Sequence, residues 1–363
     1  MSRTVLIAGG GTGGHLMPAL AIAEAMREAG SDLEPVLVGG TRGVEGKILP
    51  TRSFRYHQLP AEPLYRRQWW KNLRWPFIAV KLMRRAGAIL DAEQPAAVIG
   101  TGGYASAPIV WLAARRGIPT AIQEQNAFPG IATRRLARKV RHIYLGIPEA
   151  LGELKPGPDT RVFETGNPIL PPDPAHRSAG LTRFAIPPGR TVVLVTGGSQ
   201  GALAINRVIA EWLRLGGGQN LTVLWAAGKT SYQEFAPLHQ PPAVQVFEFL
   251  DPMADAMAVA DLAVARAGAI TLAELCAWGV PSILIPLPTA AADHQASNAQ
   301  ALAAGGAAFH LPQSELSAAT LGKSVAELVT NQAARRAMGE AARQRGRPNA
   351  AAEIVSHIAS LVR

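Results

Sequence analysis

Short apolar runs recur along the whole chain, each closed by a turn and followed by a stretch with helical spacing. In the first half they are Thr4–Ala8 (TVLIA), Pro35–Gly40 (PVLVGG), Ala96–Gly100 (AAVIG) and Ile118–Ile122. In the second they are Thr191–Val195 (TVVLV), Leu221–Gly228, Val244–Leu250, Val259–Arg266 and the SILIPLP run that starts at Ser282. Runs that do not alternate predict strands covered on both faces, and the helical spacing between them predicts crossover helices. The expected class is α/β. A repeat then sets the domain count. Thr4–Ala8 leads into GGGTGGH and a helix, and Thr191–Val195 leads into TGGSQGA and another. Two such starts, about a domain apart, predict two similar Rossmann-like domains with parallel sheets facing across a cleft.

The densest signal lies between Ala265 and Asn298. It reads as strand, turn at Gly268, helix over Thr271–Ala277, stop at Gly279 and Pro281, and a second strand. A glycine turn that opens a helix at a strand's C-terminal edge presents N–H groups and a positive dipole end to the ligand crevice. Glu274, one turn into that helix, is placed for a diol such as a ribose. A solvated glutamate on a crossover helix explains the same residue equally well.

Composition adds bounds. The 363 residues, 48% hydrophobic and 17% charged, are long enough for two cores and describe a globular chain. The single cysteine, Cys276, excludes an intrachain disulfide and reads as a small core residue. No segment offers the roughly 18 uninterrupted apolar residues of a spanning helix, and the N-terminal apolar run is too short for a signal sequence. The expected location is the cytoplasm or the cytoplasmic face of a membrane. Charge is lopsided: residues 1–165 carry 22 Lys and Arg against 13 Asp and Glu, while residues 166–363 carry 14 against 13. The divisions expected are 1–165, a proline-rich linker over 166–190, a second domain over 191–345 and a terminal helical segment over 346–363.

The first glycine loop contains G-x-G-x-x-G at Gly9, Gly11 and Gly14, a weak dinucleotide fingerprint. Gly39-Gly40 end the second strand where a ribose-binding acid of a nicotinamide site belongs, which argues against NAD. The helix start still favours a phosphate. His15 beside it could accept a proton from an attacking hydroxyl, or be a loop histidine held by backbone contacts. Residues 64–85 interleave four aromatic rings before Phe77 with seven basic residues: Arg66, Arg67, Lys71, Arg74, Lys81, Arg84 and Arg85. Trp69, Trp70, Trp75 and Phe77 among these cations suit an anionic membrane surface. Two other readings stand: Leu73, Phe77, Val80 and Leu82 form a core face beneath solvated charges, or the rings grip single-stranded nucleic acid. A second basic group, Arg134, Arg135, Arg138, Lys139 and Arg141, could extend the basic surface, meet a pyrophosphate or be plainly solvated.

Seven segments in order, GGGTGGH, GTGGYASAP, QEQN, GNP, GGSQGA, RAGAITLAEL and DHQASNA, resemble those of the MurG-type N-acetylglucosaminyltransferases, over nearly the whole chain. The resemblance implies a GT-B-type glycosyltransferase that is inverting and metal-independent, with no cofactor. It implies transfer of GlcNAc from UDP-GlcNAc to the C4 hydroxyl of undecaprenyl-pyrophosphoryl-MurNAc-pentapeptide (lipid I). The β-1,4-linked lipid II of peptidoglycan synthesis would form at the cytoplasmic face of the inner membrane. The implied acceptor contacts are Thr12, Gly13, Gly14 and Tyr104. On the donor side it implies Asn126 near the donor, Ser199 near the pyrophosphate with Gln200 on phosphate or acceptor oxygens, Leu250 near the base, Ala269, Ile270, Thr271, Leu272 and Ala273 at the helix start, and Glu274 on the ribose. Gln295 and Asn298 would meet sugar hydroxyls. His15 is the expected base and Glu124 the alternative. No Asp-x-Asp pair occurs, so helix N-termini are expected to carry the leaving-group charge.

Glu45 is the acidic member of the family's loop after the second strand. The chain departs from the family at three places. Ala107 stands where Gly is usual, Gln123 replaces a common His, and Ile169-Leu170 replace a Val-Arg whose guanidinium helps bind the donor. Three rivals remain: a UDP-GlcNAc 2-epimerase, a glycolipid synthase using diacylglycerol, and a basic nucleic-acid-binding module.

Overall fold

The structure is a computed structural model that describes residues 2–41, 45–62, 69–198 and 201–362. The chain divides into two compact units, Met1–Ile169 with Asn349–Arg363, and Leu170–Pro348.

The first unit is built on β1 (Arg3–Ala8), β2 (Leu33–Gly40), β3 (Arg55–Leu59), β4 (Ala97–Gly100), β5 (Thr120–Glu124), β6 (His142–Leu145) and β7 (Arg161–Phe163). Their order is β3-β2-β1-β4-β5-β6-β7, and every pairing is parallel. Val5 to Ala8 are fully buried because both faces of the sheet are covered. Side chains alternate between faces. Leu6 and Ala8 join Val36, Val38 and Ile109 on one side, while Val5 and Ile7 join Leu16, Leu20 and Met26 on the other. The sequence order reverses between β1 and β4, so the loops after these strands part and open a crevice at their C-terminal ends.

The last helix, Ala350–Leu361, packs on the Gly13–Glu28 helix of this unit. Ile354 and Ile358 are fully buried there, each contributing about 1.5–3 kcal/mol of apolar burial. Arg3 pins the helix end by donating to the Val362 carbonyl at 3.0 Å, and His357 stacks on Phe163 at 4.0 Å.

The second unit repeats the plan with β8 (Thr191–Thr196), β9 (Leu221–Ala226), β10 (Val244–Phe247), β11 (Leu262–Ala265), β12 (Ser282–Leu284) and β13 (Phe309–His310). The order β10-β9-β8-β11-β12-β13 is again all parallel and reverses between β8 and β11. Two Rossmann-like sheets, as the repeated strand and glycine loop predict, are therefore present.

Several boundaries differ from expectation. Val259 ends the Met253–Val259 helix, so the expected Val259–Arg266 strand shortens to β11. Only Ser282–Leu284 of SILIPLP pairs, because Pro286 and Pro288 interrupt the rest of the run. Within the expected 166–190 linker, Ala175–Arg183 is helical and packs against Met253–Val259. Gly180 allows the Asp255 carbonyl to approach closely. His176 and Arg183 bond the Asp255 carboxylate at 2.7 and 3.0 Å. Burial opposes ionisation of Asp255, yet those two bonds hold its carboxyl below the ordinary value. From Leu170 onward the chain is thus folded into the second unit rather than bridging to it.

Candidate active site

In the first unit the loops after β1 and β4 interlock through glycine. A methyl at Gly11, where φ is +93°, would lie 2.7 Å from the Tyr104 ring. One at Gly102 would lie 2.6 Å from His15 Cδ2 and 3.0 Å from Nε2, and Gly103 sits on the Gly10 carbonyl. Side chains there would drive the loops apart. Thr101 ties the same two loops, its N–H donating to Ala8 at 2.8 Å and its hydroxyl to the His15 carbonyl at 2.8 Å. His15 is half-buried, with Nδ1 3.2 Å from the Thr12 hydroxyl. When Nδ1–H donates to Thr12, Nε2 carries the lone pair a general base needs.

Gly13 and Gly14 are different. Neither has positive φ, and an added Cβ would meet nothing within 4 Å at Gly13 and only Thr12 Oγ1 at 3.7 Å at Gly14. Internal packing does not require glycine at either position. Both lie at the start of the Gly13–Glu28 helix, where a backbone without side chains lets a ligand approach closely.

The second unit repeats this feature. Gly268, at the start of the Ala269–Trp278 helix after β11, also has ordinary φ and nothing within 4 Å of an added Cβ. Ala269 and Leu272 are buried, while Ile270, Thr271 and Ala273 are half-buried along the helix start. Glu274 is half-buried, and desolvation raises its carboxyl to about 7. Among the described residues its carboxylate has no hydrogen bond or ion pair. A half-buried acid with no protein partner suits an incoming pair of hydroxyls better than it suits a structural role. Leu250 is fully buried in the core, so only its backbone can face a nucleobase. Gln295 accepts from Leu287 N–H at 3.0 Å, and buried Asn298 donates to the Ala267 carbonyl at 3.1 Å. Asn298 braces the turn before the Ala269–Trp278 helix, and Gln295 braces the segment after β12. Ser199 and Gln200 lie outside the described residues.

Glu124 is held by its own loop. It is 3% exposed, and its oxygens accept from Asn126 N–H and Nδ2 at 3.1 and 3.2 Å and from Gly130 N–H at 3.2 Å. That carboxylate braces the 124–130 loop and with it the half-buried Asn126. Gln123, in the place of the family's His, is also buried and donates to Asn167 Oδ1 at 2.9 Å. Asn167 in turn donates to the Gln125 carbonyl at 3.0 Å, and Gln125 to the Thr101 carbonyl at 2.7 Å. Gln123 therefore joins an amide network that fixes the QEQN and GNP segments together. Leu170, where the family's Arg is absent, is 78% exposed.

Sequence reading passed over two buried polar residues of the second unit. Arg266 is buried at the end of β11 and donates to the carbonyls of Ile285 and Pro286 at 3.1 and 2.9 Å; burial lowers its pKa. Asn206 bridges Trp225 Nε1 (3.0 Å) and the Ala227 carbonyl (2.7 Å), against which Gly201 packs. A lone cation closing an apolar strand was the available signal for the first.

The aromatic-basic segment is also clear. Trp70, Leu73, Phe77 and Val80 are 54%, 71%, 81% and 60% exposed, at helical spacing along Trp69–Arg74 and the Trp75–Glu93 helix. Of the four residues that could have formed a core face, only Leu82 does so. Lys81, Arg84 and Arg85 are exposed on the same helix. Trp75 does not belong to the exposed set: it is half-buried with its indole N–H enclosed. The side chain of Trp69 lies outside the described residues. Among the described residues no helix is long and apolar enough to cross a membrane.

Two Rossmann-like units with glycine-opened helix starts at their switch points have the GT-B-type fold. The glycosyltransferase family 28 N-terminal domain matches residues 5–145, and the family 28 C-terminal domain matches residues 192–354. The chain is 38% identical to the UDP-N-acetylglucosamine--N-acetylmuramyl-(pentapeptide) pyrophosphoryl-undecaprenol N-acetylglucosamine transferase of Salinibacter ruber, covering 98% of this chain and 96% of that protein. It is 40% identical to the transferase of the same name from Carboxydothermus hydrogenoformans, covering 86% and 85%. The crystal structure of Acinetobacter baumannii MurG superposes with a TM-score of 0.79 at 27% identity, covering 99% of this chain and all of that one. The chain belongs to this MurG-type family of pyrophosphoryl-undecaprenol N-acetylglucosamine transferases.

Proposed function

We propose that this chain transfers GlcNAc from UDP-GlcNAc to the C4 hydroxyl of lipid I, with inversion, releasing UDP and forming lipid II. The observation that carries the reading is the pair of helix starts whose glycines serve no internal contact, Gly13-Gly14 after β1 and Gly268 after β11. Each helix start points a positive dipole end towards an anionic ligand, with no side chain in the way. Glu274 accepts from the donor ribose, and the Ala269–Thr271 turn, with Ser199 and Gln200, faces the pyrophosphate. The acceptor meets Thr12, Gly13, Gly14 and Tyr104. Its C4 oxygen bonds to the anomeric carbon as the bond from that carbon to the UDP oxygen breaks, and His15 Nε2 takes the hydroxyl proton. Charge that develops on UDP is met by the fixed dipoles of the helix start. The test is the product: a disaccharide cleaved by a β-specific N-acetylhexosaminidase supports inversion at C1, and an α-linked product rejects it.

The Trp70, Leu73, Phe77 and Val80 face docks the first unit on an anionic membrane, peripherally and from the cytoplasmic side. Apolar rings enter the interface while Lys81, Arg84 and Arg85 meet headgroups. Leu73→Ser with Phe77→Ser is expected to weaken binding to phosphatidylglycerol-containing vesicles by roughly tenfold or more. Turnover on a water-soluble acceptor should stay unchanged. Vesicle binding equal to that of the unsubstituted protein would remove this face from the account.

A further inference from the structure

We infer that Glu45 is a positioning residue for the transfer reaction, one that sets the glycine loop carrying His15 through the hydrogen bonds its Oε1 receives. The inference rests on the reading of His15 as the base. Glu45 is fully buried. Its Oε1 accepts from Gly11 N–H at 2.8 Å and from Gly40 N–H at 3.1 Å, so one oxygen joins the loop after β1 to the end of β2. Two glycines shape its slot: a Cβ at Gly10 would lie 2.5 Å from Oε1, and one at Gly39 would lie 3.0 Å from Cγ. Neither glycine has positive φ, so the space for Glu45 is what they supply.

The consequence runs outward by contact. Gly10 and Gly11, held by Glu45, carry Gly103 and the Tyr104 ring against them, and neighbouring Gly102 lies under the His15 imidazole. Moving the Gly10-Gly11 peptide moves the surface on which that ring rests. The second oxygen, Oε2, is buried and has no hydrogen-bond partner among the described residues. What the described residues assign to the carboxylate is span and a single acceptor atom, Oε1. A glutamine keeps the span and Oε1 and places its NH₂ where Oε2 bonds nothing. An aspartate keeps the charge and is one methylene too short.

The test uses the full chain, UDP-GlcNAc and a short-chain lipid-linked muramyl-pentapeptide. It measures kcat, both KM values, donor affinity by calorimetry and melting midpoints for Glu45→Gln, Glu45→Asp, His15→Ala and the Glu45→Asp/His15→Ala pair. Glu45→Gln should turn over within about threefold of the unsubstituted enzyme. Glu45→Asp should lose roughly 100-fold in kcat, the scale of a misplacement near 1 Å, with donor affinity within about twofold. Added to His15→Ala, it should cost no more than about threefold further, because the position of an absent base no longer matters. Full turnover by Glu45→Asp overturns the inference. So does a Glu45→Gln loss as deep as that of Glu45→Asp, or a Glu45→Asp loss that multiplies in full with that of His15→Ala. If Glu45→Asp does not fold, Glu45→Gln decides alone, since it fills the same space. A His15→Ala enzyme with full turnover would instead refute the base assignment, and is recognised without any Glu45 variant.

Discussion

Replacing His15 with alanine is expected to lower kcat by about 10²- to 10⁴-fold, the range a positioned general base supplies, while UDP-GlcNAc affinity is unchanged. The two effects separate because the residues proposed for the donor lie in the other unit, at Gly268–Glu274. Thr12 on Nδ1 and Gly102 under the ring hold the imidazole in one pose, so the loss should fall on kcat and not on the acceptor KM. Glu124 offers no substitute, since Asn126 and Gly130 already occupy its oxygens. Steady-state rates together with calorimetric donor binding check this. Near-normal turnover with unchanged donor binding would end the role assigned to His15.

Glu274→Ala is expected to raise the donor KM by roughly 10- to 150-fold, the value of about 1.5–3 kcal/mol for hydrogen bonds to a charged group, and to leave the acceptor KM alone. Burial lifts the Glu274 carboxyl to about 7, which adds a pH signature. The ionised form accepts from both ribose hydroxyls, and its fraction grows as pH rises through 7. Donor affinity should therefore fall by up to about tenfold per unit as pH drops below 7, and Glu274→Gln should flatten that dependence. The sign for the free protein is opposite. A folded pKa above the unfolded one favours the protonated fold, so stability declines as pH rises towards 7, and Glu274→Gln should melt higher than the unsubstituted protein at pH 8. Equal changes in both KM values would rule out the ribose contact.

The sheet cores were legible because runs such as Val5–Ala8 and Leu262–Ala265 are buried on both faces and tolerate only apolar residues. Polar strands were not. RYHQL at β3 and HIYL at β6 mix charge or imidazole with apolar positions, and pairing with β2 and β5, not local pattern, makes them strands. The exposed face at Trp70–Val80 shows a different limit. Helical spacing is the same for a core stripe and for a membrane-facing one, and only the fold tells which side of the helix Leu82 and Phe77 occupy. At the proposed site, the helix starts could be read from glycine placement. The work of Glu45 could not, because its partner Gly11 lies on another loop, and nothing local to Gln123 marks Asn167 as its partner.

Transfer of GlcNAc from UDP-GlcNAc to a lipid-linked muramyl-pentapeptide releases UDP. Its most direct measurement is UDP release by the purified protein with EDTA present, with and without a short-chain form of that acceptor. Release should be rapid, require the acceptor and proceed in EDTA. Release at the same rate without acceptor, or no release while UDP-GlcNAc still binds, would contradict it.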